Sequence, residues 1–302
     1  MSFLVTGGMG FIGYHTINHL SQKFPNERIF CLDNLSLSEE KPLPSNVTFV
    51  RGDVRDAEKV DELVKVCEGG IIHLAADSRV LPSLHDPTRI QESISSNIVG
   101  TANILISIAK SGKKTPFVYA GSSTAYGDHP VPQNETLLPR IQSPYSATKL
   151  SGELLIKSFV TTFELAATTL RYFQVYGPGQ PVSGPYALVT GIFVKQAKLG
   201  QPLTVEGSGE QRRDFIHVFD VARANVLALS VNSKGEPINI GTGKSYSIRQ
   251  LANLISEEQV FLPARKIDLP ATEAEVTLAK SLLNWESSIT LEDGIAELLN
   301  DN

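Results

Sequence analysis

The chain has 302 residues, of which 41% are hydrophobic and 20% are charged. This composition is that of an ordinary globular protein whose length leaves room for a sizeable core and for two lobes. The formal net charge of −5, from 27 basic and 32 acidic side chains, excludes the basic footprint of a nucleic-acid-binding protein. No apolar run reaches the ~18 residues that a membrane span requires.

The cysteines and the first residues of the chain indicate the cellular compartment in which we expect the protein. Cys31 and Cys67 are the only cysteines, and they show no metal-ligand spacing. Two isolated cysteines suggest a reducing environment. Met1 leads directly into an apolar strand, without the basic start and the cleavage site of a signal peptide. We therefore expect a cytoplasmic protein with no metal site and no membrane partner.

A glycine-rich turn follows the first predicted strand, Phe3–Val5, and a predicted helix runs from Tyr14 to Lys23. The glycines fit both G-x-G-x-x-G and G-x-x-G-x-x-G. Such glycines permit a tight turn and a close approach to a pyrophosphate, which the free N–H groups of the helix start can bind. The position between strand and helix is the one that a dinucleotide motif requires. We predict a cofactor site that includes Gly7, Gly10, Phe11, Ile12 and Gly13.

Asp33 ends the second predicted strand, Arg28–Leu32, at the ~20-residue spacing of the dinucleotide motif. A carboxylate at this place accepts hydrogen bonds from the adenosine ribose hydroxyls and repels a 2′-phosphate, which favours NAD over NADP. The alternative is that Asp33 only caps a turn with Asn34. We favour cofactor binding, and we include both residues in the predicted site.

The third and fourth predicted strands, Val47–Val50 and Gly70–Ala76, end in residues that extend this site. Ligands of open parallel sheets bind beyond the carboxyl ends of the strands. An aspartate after the third strand could contact adenine or could cap a turn, and small residues after the fourth would let the cofactor pass closely. The residues added here are Asp53, Val54, Leu74, Ala75 and Ala76. His73 is interpreted as a buried structural histidine.

Three hydroxyl side chains, Ser122, Ser123 and Thr124, follow the fifth predicted strand, Phe117–Ala120. Tyr145 and Lys149 come next among the polar candidates in the chain. A tyrosine and a lysine four apart lie on one face of a helix. A close ammonium should lower the phenol pKa from ~10, so that the phenol can accept a proton near neutral pH. Solvated helix faces also carry such pairs, but the conjunction with the hydroxyls predicts a catalytic site.

The later chain predicts the division into lobes. A predicted amphipathic helix covers Asn97–Lys110, and a sixth strand covers Leu165–Tyr172. After Pro178 the chain becomes rich in Gly and Pro, and the strand–helix alternation weakens. We predict an α/β fold with a Rossmann doubly wound parallel sheet in residues 1–176. Residues 177–302 form a smaller α/β substrate-binding lobe, from which a segment at about 213–230 returns to the first domain.

The whole pattern resembles the extended short-chain dehydrogenase/reductase family, and within it the UDP-sugar 4-epimerases. The resemblance covers essentially the whole chain and rests on several motifs in the same order and spacing. They are the early glycine motif, Asp33, Asn97–Thr101, Ser122 before Tyr126–Gly127, Tyr145-x-x-x-Lys149, Leu170–Phe173, Arg213–Phe215 and Asn239–Gly243. The resemblance implies NAD as the cofactor, a nucleotide-sugar substrate and a homodimer formed through the helices at 97–110 and 146–163.

The resemblance also implies roles for single residues. Tyr145 would take the proton from the sugar O4 while the C4 hydride passes to NAD, Lys149 would bind the nicotinamide ribose, and Ser122 would contact the 4-hydroxyl. The 4-keto sugar would turn over before the hydride returns to its other face. Asn97 and Tyr172 join the implied cofactor set. The implied substrate residues are Ser83, Ser122, Ser123, Thr124, Tyr145, Gln174, Arg213, Arg265, Asp268 and Thr272.

Within the substrate set, Arg213 and Arg265 would meet the pyrophosphate, for which a guanidinium fork is suited, and Asp268 would meet the uridine ribose. Thr272 stands where some epimerases that favour plain hexoses carry a bulky Tyr, so a wider pocket at C2 is implied. Gln174 replaces a usual Asn. The implied substrates are UDP-GlcNAc and UDP-GalNAc, with UDP-Glc and UDP-Gal as further candidates.

Three alternatives stay open. A nucleotide-sugar 4,6-dehydratase usually has an Asp-Glu pair where this chain has Ser123 and Thr124. A UDP-uronic acid epimerase or decarboxylase would need a cation for the sugar carboxylate, and Arg79 is the obvious candidate. A non-catalytic NAD-binding regulatory protein typically lacks the Tyr or the Lys, whereas Tyr145 and Lys149 are both present.

Overall fold

The computed structural model describes residues 1–78, 86, 88, 90–184, 187–264 and 268–300. The strands in this part of the chain are β1 (Ser2–Thr6), β2 (Arg28–Asp33), β3 (Val47–Arg51), β4 (Gly70–His73), β5 (Phe117–Ser122), β6 (Ala167–Tyr172), β7 (Gln174–Tyr176), β8 (Leu203–Glu206), β9 (Arg212–Arg213), β10 (Phe215–His217), β11 (Pro237–Ile240), β12 (Tyr246–Ser247) and β13 (Gln259–Leu262).

Seven of these strands form a parallel sheet in the order β11-β6-β5-β4-β1-β2-β3. The order runs one way from β1 to β3 and the other way from β4 to β6, so it changes direction between β1 and β4. In an open parallel sheet this is the place where a crevice opens at the carboxyl ends of the strands. The predicted doubly wound Rossmann sheet is confirmed.

Helices cover both faces of this sheet. In the first part of the chain they are α1 (Phe11–Lys23), α2 (Ala57–Val66), α3 (Ile90–Ile94), α4 (Gly100–Ser111) and α5 (Pro144–Phe163). A π-helical turn, Ser95–Val99, joins α3 to α4. The helix predicted at Asn97–Lys110 is therefore part of a longer helical stretch that begins at Ile90.

Alternate residues of β1 pack into two different cores, because successive side chains of a strand point to opposite faces of the sheet. Phe3 and Val5 belong to one core cluster, and Leu4 belongs to the other. On the second face, α4 packs between α2 and α5. Because both faces are covered, β4 and β6 are buried at every residue, which is typical of strands in a parallel sheet.

The later part of the chain contributes α6 (Val189–Lys198), α7 (Val218–Ala228), α8 (Ile248–Ile255), α9 (Thr277–Leu283) and α10 (Leu291–Asn300). Two-stranded sheets pair β7 with β10, β8 with β13 and β9 with β12. Two segments return to the first lobe: α7 packs on α1, and β11 extends the main sheet beside β6. The first lies in the predicted return at about 213–230, and the second lies beyond it.

Local signals set several helix starts. The Ser143 hydroxyl accepts a hydrogen bond from Ser146 N at 3.1 Å, and Pro144 occupies the first helical position of α5, both of which favour a helix start. Ser247 and Gln250 form a capping box at α8, which confirms the predicted N-cap. Among the described helices, none combines the length and the apolar character needed to cross a bilayer.

Candidate active site

A cavity of about 600 Å³ opens at the carboxyl ends of the central strands, where the strand order changes direction. Every predicted cofactor residue except Asn97 lines it. These residues are Gly7, Gly10, Phe11, Ile12, Gly13, Asp33, Asn34, Asp53, Val54, Leu74, Ala75, Ala76, Tyr145, Lys149 and Tyr172. The described residues contain no group of three or more metal-ligating side chains that could hold an ion.

The glycine turn has the shape that a pyrophosphate needs. Gly7 has a φ of 68°, and a Cβ there would lie 2.6 Å from Ala75 N. A Cβ on Gly13 would lie 2.0 Å from Gly7 O. The N-cap of α1 is Gly10, which has no side chain that could cap the helix. N–H groups at the helix start can therefore bind an anion. These features fit a dinucleotide.

Asp33 caps its turn and also lines the cavity. Its Oδ2 accepts from Met9 N at 3.0 Å, and its Oδ1 accepts from Leu35 N at 2.8 Å and from Ser38 Oγ at 3.3 Å. The carboxylate therefore shapes the turn while it lines the cavity. A carboxylate has about four acceptor positions, so it keeps capacity for a ribose hydroxyl.

Asp53 is held beside Asn34. Asn34 Nδ2 donates to Asp53 Oδ2 at 2.7 Å, and Arg55 Nη2 donates to the same oxygen at 2.6 Å. The hydrogen bonds from Arg55 lower the pKa of Asp53 to about 2, so this carboxylate is ionised. Like Asp33, Asp53 both organises a turn and lines the cavity.

The three catalytic candidates meet at one wall of the cavity. Ser122 Oγ accepts hydrogen bonds from Thr124 Oγ1 at 2.9 Å and from Thr124 N at 3.3 Å. Since a hydroxyl has one proton and two lone pairs, the Ser122 proton stays available to a partner in the cavity, which Tyr145 also lines. Lys149 lies one turn further along α5.

The ionisation of Tyr145 corrects one expectation. Burial raises the pKa of Tyr145 to about 12, although Ser122 acts to lower it, and the charge of Asp77 raises it further. The expected lowering by Lys149 is therefore wrong for the protein alone. The reason is that burial penalises the phenolate, and Lys149 is not among the groups that act on it.

Lys149 is itself buried, with 5% of its surface exposed. Burial lowers its pKa to about 8, against the opposing influence of Glu153. Its Nζ lies 5.0 Å from the ring centroid of Tyr119. The charge of this ammonium is thus adjustable close to neutral pH.

Asn97 is hydrogen-bonded to residues beside the site but does not line the cavity. Its Oδ1 accepts from Asp77 N at 2.7 Å, and its Nδ2 donates to Asp77 O at 3.0 Å and to Thr148 Oγ1 at 2.9 Å. It therefore joins the segment after β4 to α5. Its side chain is buried away from the cavity, which its neighbour Ser96 lines instead.

The substrate candidates fall into separate groups. Ser122, Ser123, Thr124, Tyr145 and Gln174 line the main cavity. Arg213 forms an ion pair with Asp268, and Asp268 lines a second cavity of about 400 Å³ beside Glu206 and Pro270. Thr272 is buried, and its N–H donates to Arg212 O at 3.0 Å. Ser83 and Arg265 lie outside the described residues, as does Arg79.

Two features of the site were not found from the sequence. Asp214 is fully buried and accepts hydrogen bonds from Thr242 N, Gly243 N and Ala274 N at 2.8–3.0 Å, so it ties together the loops around Arg213. The loop after β7 also reaches the main cavity. Its position after a strand end was the available signal, and its lining residues are Gln180, Pro181, Ser183, Ala187 and Leu188.

Comparisons with known proteins agree with this geometry. Residues 3–241 match the model of the NAD dependent epimerase/dehydratase family. A putative UDP-glucose 4-epimerase of Methanocaldococcus jannaschii is 35% identical over 98% of this chain and 97% of its own length.

Two solved structures are similar over nearly their full length. A UDP-glucose 4-epimerase of Thermotoga maritima, with UDP-glucose, has a TM-score of 0.91 at 34% identity and covers 99% of this chain and 97% of its own. A UDP-N-acetylglucosamine 4-epimerase of Methanobrevibacter ruminantium, in complex with UDP-N-acetylmuramic acid, has a TM-score of 0.90 at 31% identity, with 99% and 96% covered. This chain belongs to the NAD dependent epimerase/dehydratase family and is an NAD-dependent enzyme.

Proposed function

We propose that the protein is a 4-epimerase of a UDP-sugar. The observation that carries the proposal is the placement of Ser122, Tyr145 and Lys149, the last one turn further along α5, in the same cavity as the glycine turn. A sugar carbon held there is within reach of both a proton acceptor and a bound dinucleotide.

The residues of the chain have separate roles in this reaction. When bound, NAD would supply the hydride acceptor, and its cationic nicotinamide ring would favour a nearby phenolate. Ser122 donates a hydrogen bond to the sugar O4 and holds it against Tyr145. Tyr145 takes the O4 proton as the C4 hydride leaves and gives it back when the hydride returns on the other face of the ring. The Lys149 ammonium would bind the nicotinamide ribose.

The substrate of this proposal is UDP-GlcNAc and UDP-GalNAc. The solved epimerase from Methanobrevibacter ruminantium supports it, because its named substrate is an N-acetylated sugar. The family resemblance at the small Thr272 also supports it, while in the structure this side chain is buried and lines neither of the two cavities. UDP-Glc and UDP-Gal are the second candidates.

Proton NMR of the sugar tests the proposal. Purified protein is incubated with UDP-GlcNAc without added NAD, and the incubation is repeated with added NAD. We expect UDP-GalNAc to accumulate to a fixed ratio. Turnover of UDP-glucose alone would reject the N-acetylated substrate and keep the epimerase. No change with UDP-GlcNAc, UDP-glucose or UDP-glucuronic acid would reject the epimerase for these sugars.

The same spectra separate the alternatives. A 4-keto-6-deoxy product would identify a dehydratase, and loss of the sugar carboxylate would identify a decarboxylase. Ser123 and Thr124 lie in the cavity wall where a dehydratase would need carboxyl groups, which supports the epimerase. A regulatory protein would keep its function when Tyr145 is replaced by Phe.

The proposal includes a homodimer in the cytoplasm. The faces of α4 and α5, which pack on each other, expose Ile106, Leu154 and Phe163. Apolar side chains on adjacent helices are suited to a helix-bundle interface with a second copy of the chain.

A further inference from the structure

We propose that Glu153, held by Arg171, is a positioning residue that keeps the Lys149 ammonium charged inside the buried site. The inference rests on the proposed role of Lys149 in the reaction. It concerns a buried ion pair whose two side chains line neither of the two cavities described above.

The geometry places Glu153 in line with the catalytic pair. Tyr145, Lys149 and Glu153 follow one another at intervals of four along α5, so they share one face of the helix. All three are buried. Glu153 is thus one turn behind Lys149 on the side away from Tyr145.

Arg171 of β6 holds the Glu153 carboxylate by two hydrogen bonds. Nη2 donates to Oε2 at 2.7 Å and Nε donates to Oε1 at 3.1 Å, and the two side chains are only 4% and 3% exposed. Such a bidentate pair fixes both position and ionisation. A Cβ on Gly121 would lie 2.9 Å from Glu153 Oε1. The backbone of β5 next to Ser122 therefore lies against the carboxylate.

This pair is poorly explained as a device for stability. Apolar side chains of similar volume often replace a buried ion pair without loss of stability. In addition, the buried Arg171 Nη1 has no hydrogen-bond partner in the described chain. Its guanidinium is held over the ring of Tyr126 at 4.7 Å. An arrangement that leaves a buried donor unpaired but fixes a negative charge behind Lys149 points to an electrostatic role.

The titratable groups around Lys149 on the packed elements are Tyr145 and Glu153 on α5, Tyr119 on β5 and His73 on β4. Arg171 on β6 holds Glu153. The phenols are neutral, because burial raises the pKa values of Tyr145 and Tyr119. His73 is neutral as well, because burial lowers its pKa to about 3. Asp77 acts on Tyr145. Among the described groups, Glu153 is the anion whose charge raises the pKa of Lys149.

Loss of either member of the pair should shift the Lys149 pKa. A negative charge favours the ammonium, so its removal lowers the pKa of Lys149 below its value of about 8. The neutral amine then forms at lower pH, and activity is lost earlier as pH rises. Removal of Arg171 takes away the guanidinium that fixes the ionisation of Glu153, so the buried carboxyl is protonated more readily and the negative charge beside Lys149 is reduced. The alkaline limit of activity then also moves to lower pH.

The variants E153Q and R171Q test the proposal, because the first removes the charge of Glu153 directly and the second removes the guanidinium that keeps Glu153 ionised. The pH dependence of kcat is measured for each by NMR of the sugar. We expect the alkaline midpoint to fall by about one pH unit in E153Q and by a smaller amount in R171Q. No shift in either variant, or a rise in E153Q, would show that the pair is structural only.

Direct titration of Lys149 gives a second readout that needs no turnover. The protein is labelled with ¹³C at lysine Cε, and the Lys149 signal is assigned by its absence in K149M. The Lys149 pKa should fall in E153Q even if no sugar is epimerised, which separates this inference from the proposed function. If E153Q does not fold, the double variant E153L/R171M takes its place. An unchanged Lys149 titration in a folded variant would overturn the proposal.

Discussion

The guanidinium of Arg213 forms an ion pair with the carboxylate of Asp268. Arg213 Nη1 also donates to Leu269 O at 2.8 Å. The family resemblance implied that both side chains bind the nucleotide part of the substrate, and in the structure they hold each other. Because its pairing with Asp268 already orients the guanidinium, binding a diphosphate would cost Arg213 little further conformational entropy.

Replacement of Arg213 by Ala should therefore raise KM for the UDP-sugar by about 10- to 100-fold, since a hydrogen bond to a charged group contributes ~1.5–3 kcal/mol. Steady-state kinetics check this. Arg140→Ala is the control, because Arg140 forms a comparable but exposed pair with Asp128. An equal rise of KM in both variants would contradict a role of Arg213 in binding.

Replacement of Tyr145 by Phe should lower kcat by at least ~10²-fold, since it removes the proton acceptor. The ring stays in place, so we expect bound NAD to be retained. Turnover is followed by NMR, and NAD is released by denaturation and measured by absorbance. Activity that survives in Y145F would remove the proton-transfer role of Tyr145.

Replacement of Gly7 by Ala should abolish NAD binding, since the new Cβ would lie 2.6 Å from Ala75 N at a φ of 68°. Gly112→Ala is a matched control, because Gly112 has a φ of 65° and a Cβ added there would meet no atom within 4 Å. Both variants carry a strained backbone that costs ~1–2 kcal/mol. The difference in NAD content between them isolates the steric conflict in the turn, and equal NAD content would speak against a cofactor at this turn.

Because Lys149 is buried, we expect the stability of the protein to increase with pH while its activity decreases. Burial lowers its pKa to about 8, whereas an unfolded lysine titrates near ~10.4. Between these values the unfolded chain binds more protons, so the free energy of unfolding rises with pH, by up to about 3 kcal/mol. The ammonium needed for activity is lost over the same range. Activity should therefore fall as pH rises through about 8 while this group's contribution to stability increases.

Denaturant unfolding at pH of about 7 and about 9.5 checks the stability part. In K149M the contribution of this group disappears, so the variant should gain stability mainly at the lower pH while it loses activity. A variant that is destabilised equally at both values would contradict the assignment of a buried, depressed lysine.

Replacement of Leu154 by Lys should weaken the proposed dimer, because Leu154 is 59% exposed on α5 and a charge there would be desolvated in a helix-bundle interface. Sedimentation velocity measures the oligomeric state. Leu138→Lys is the control, since Leu138 is 80% exposed outside the helices. A monomeric parent protein, or a dimer that both variants leave intact, would reject this interface.

Much of the fold and of the cofactor site could be predicted because their signals are local. A strand, a glycine turn and a helix succeed one another within the first residues, and the side chains that follow β1, β2, β4 and β5 must meet at one edge of a parallel sheet. The Rossmann fold, the family and NAD are confirmed. The neutral buried state of His73, between Thr6 Oγ1 at 2.6 Å and Thr101 Oγ1 at 3.0 Å, also agrees with its interpretation as structural.

The sequence by itself thus determined the order of the elements and which residues stand at strand ends, since both follow from periodicity and from turn chemistry. Only the tertiary structure decided what those side chains are free to do. Asn97 is engaged by Asp77 and Thr148, and Arg213 is engaged by Asp268. Burial reverses the expected shift of the Tyr145 pKa. These outcomes depend on contacts between segments far apart in the chain and on desolvation, and neither is encoded in a local pattern.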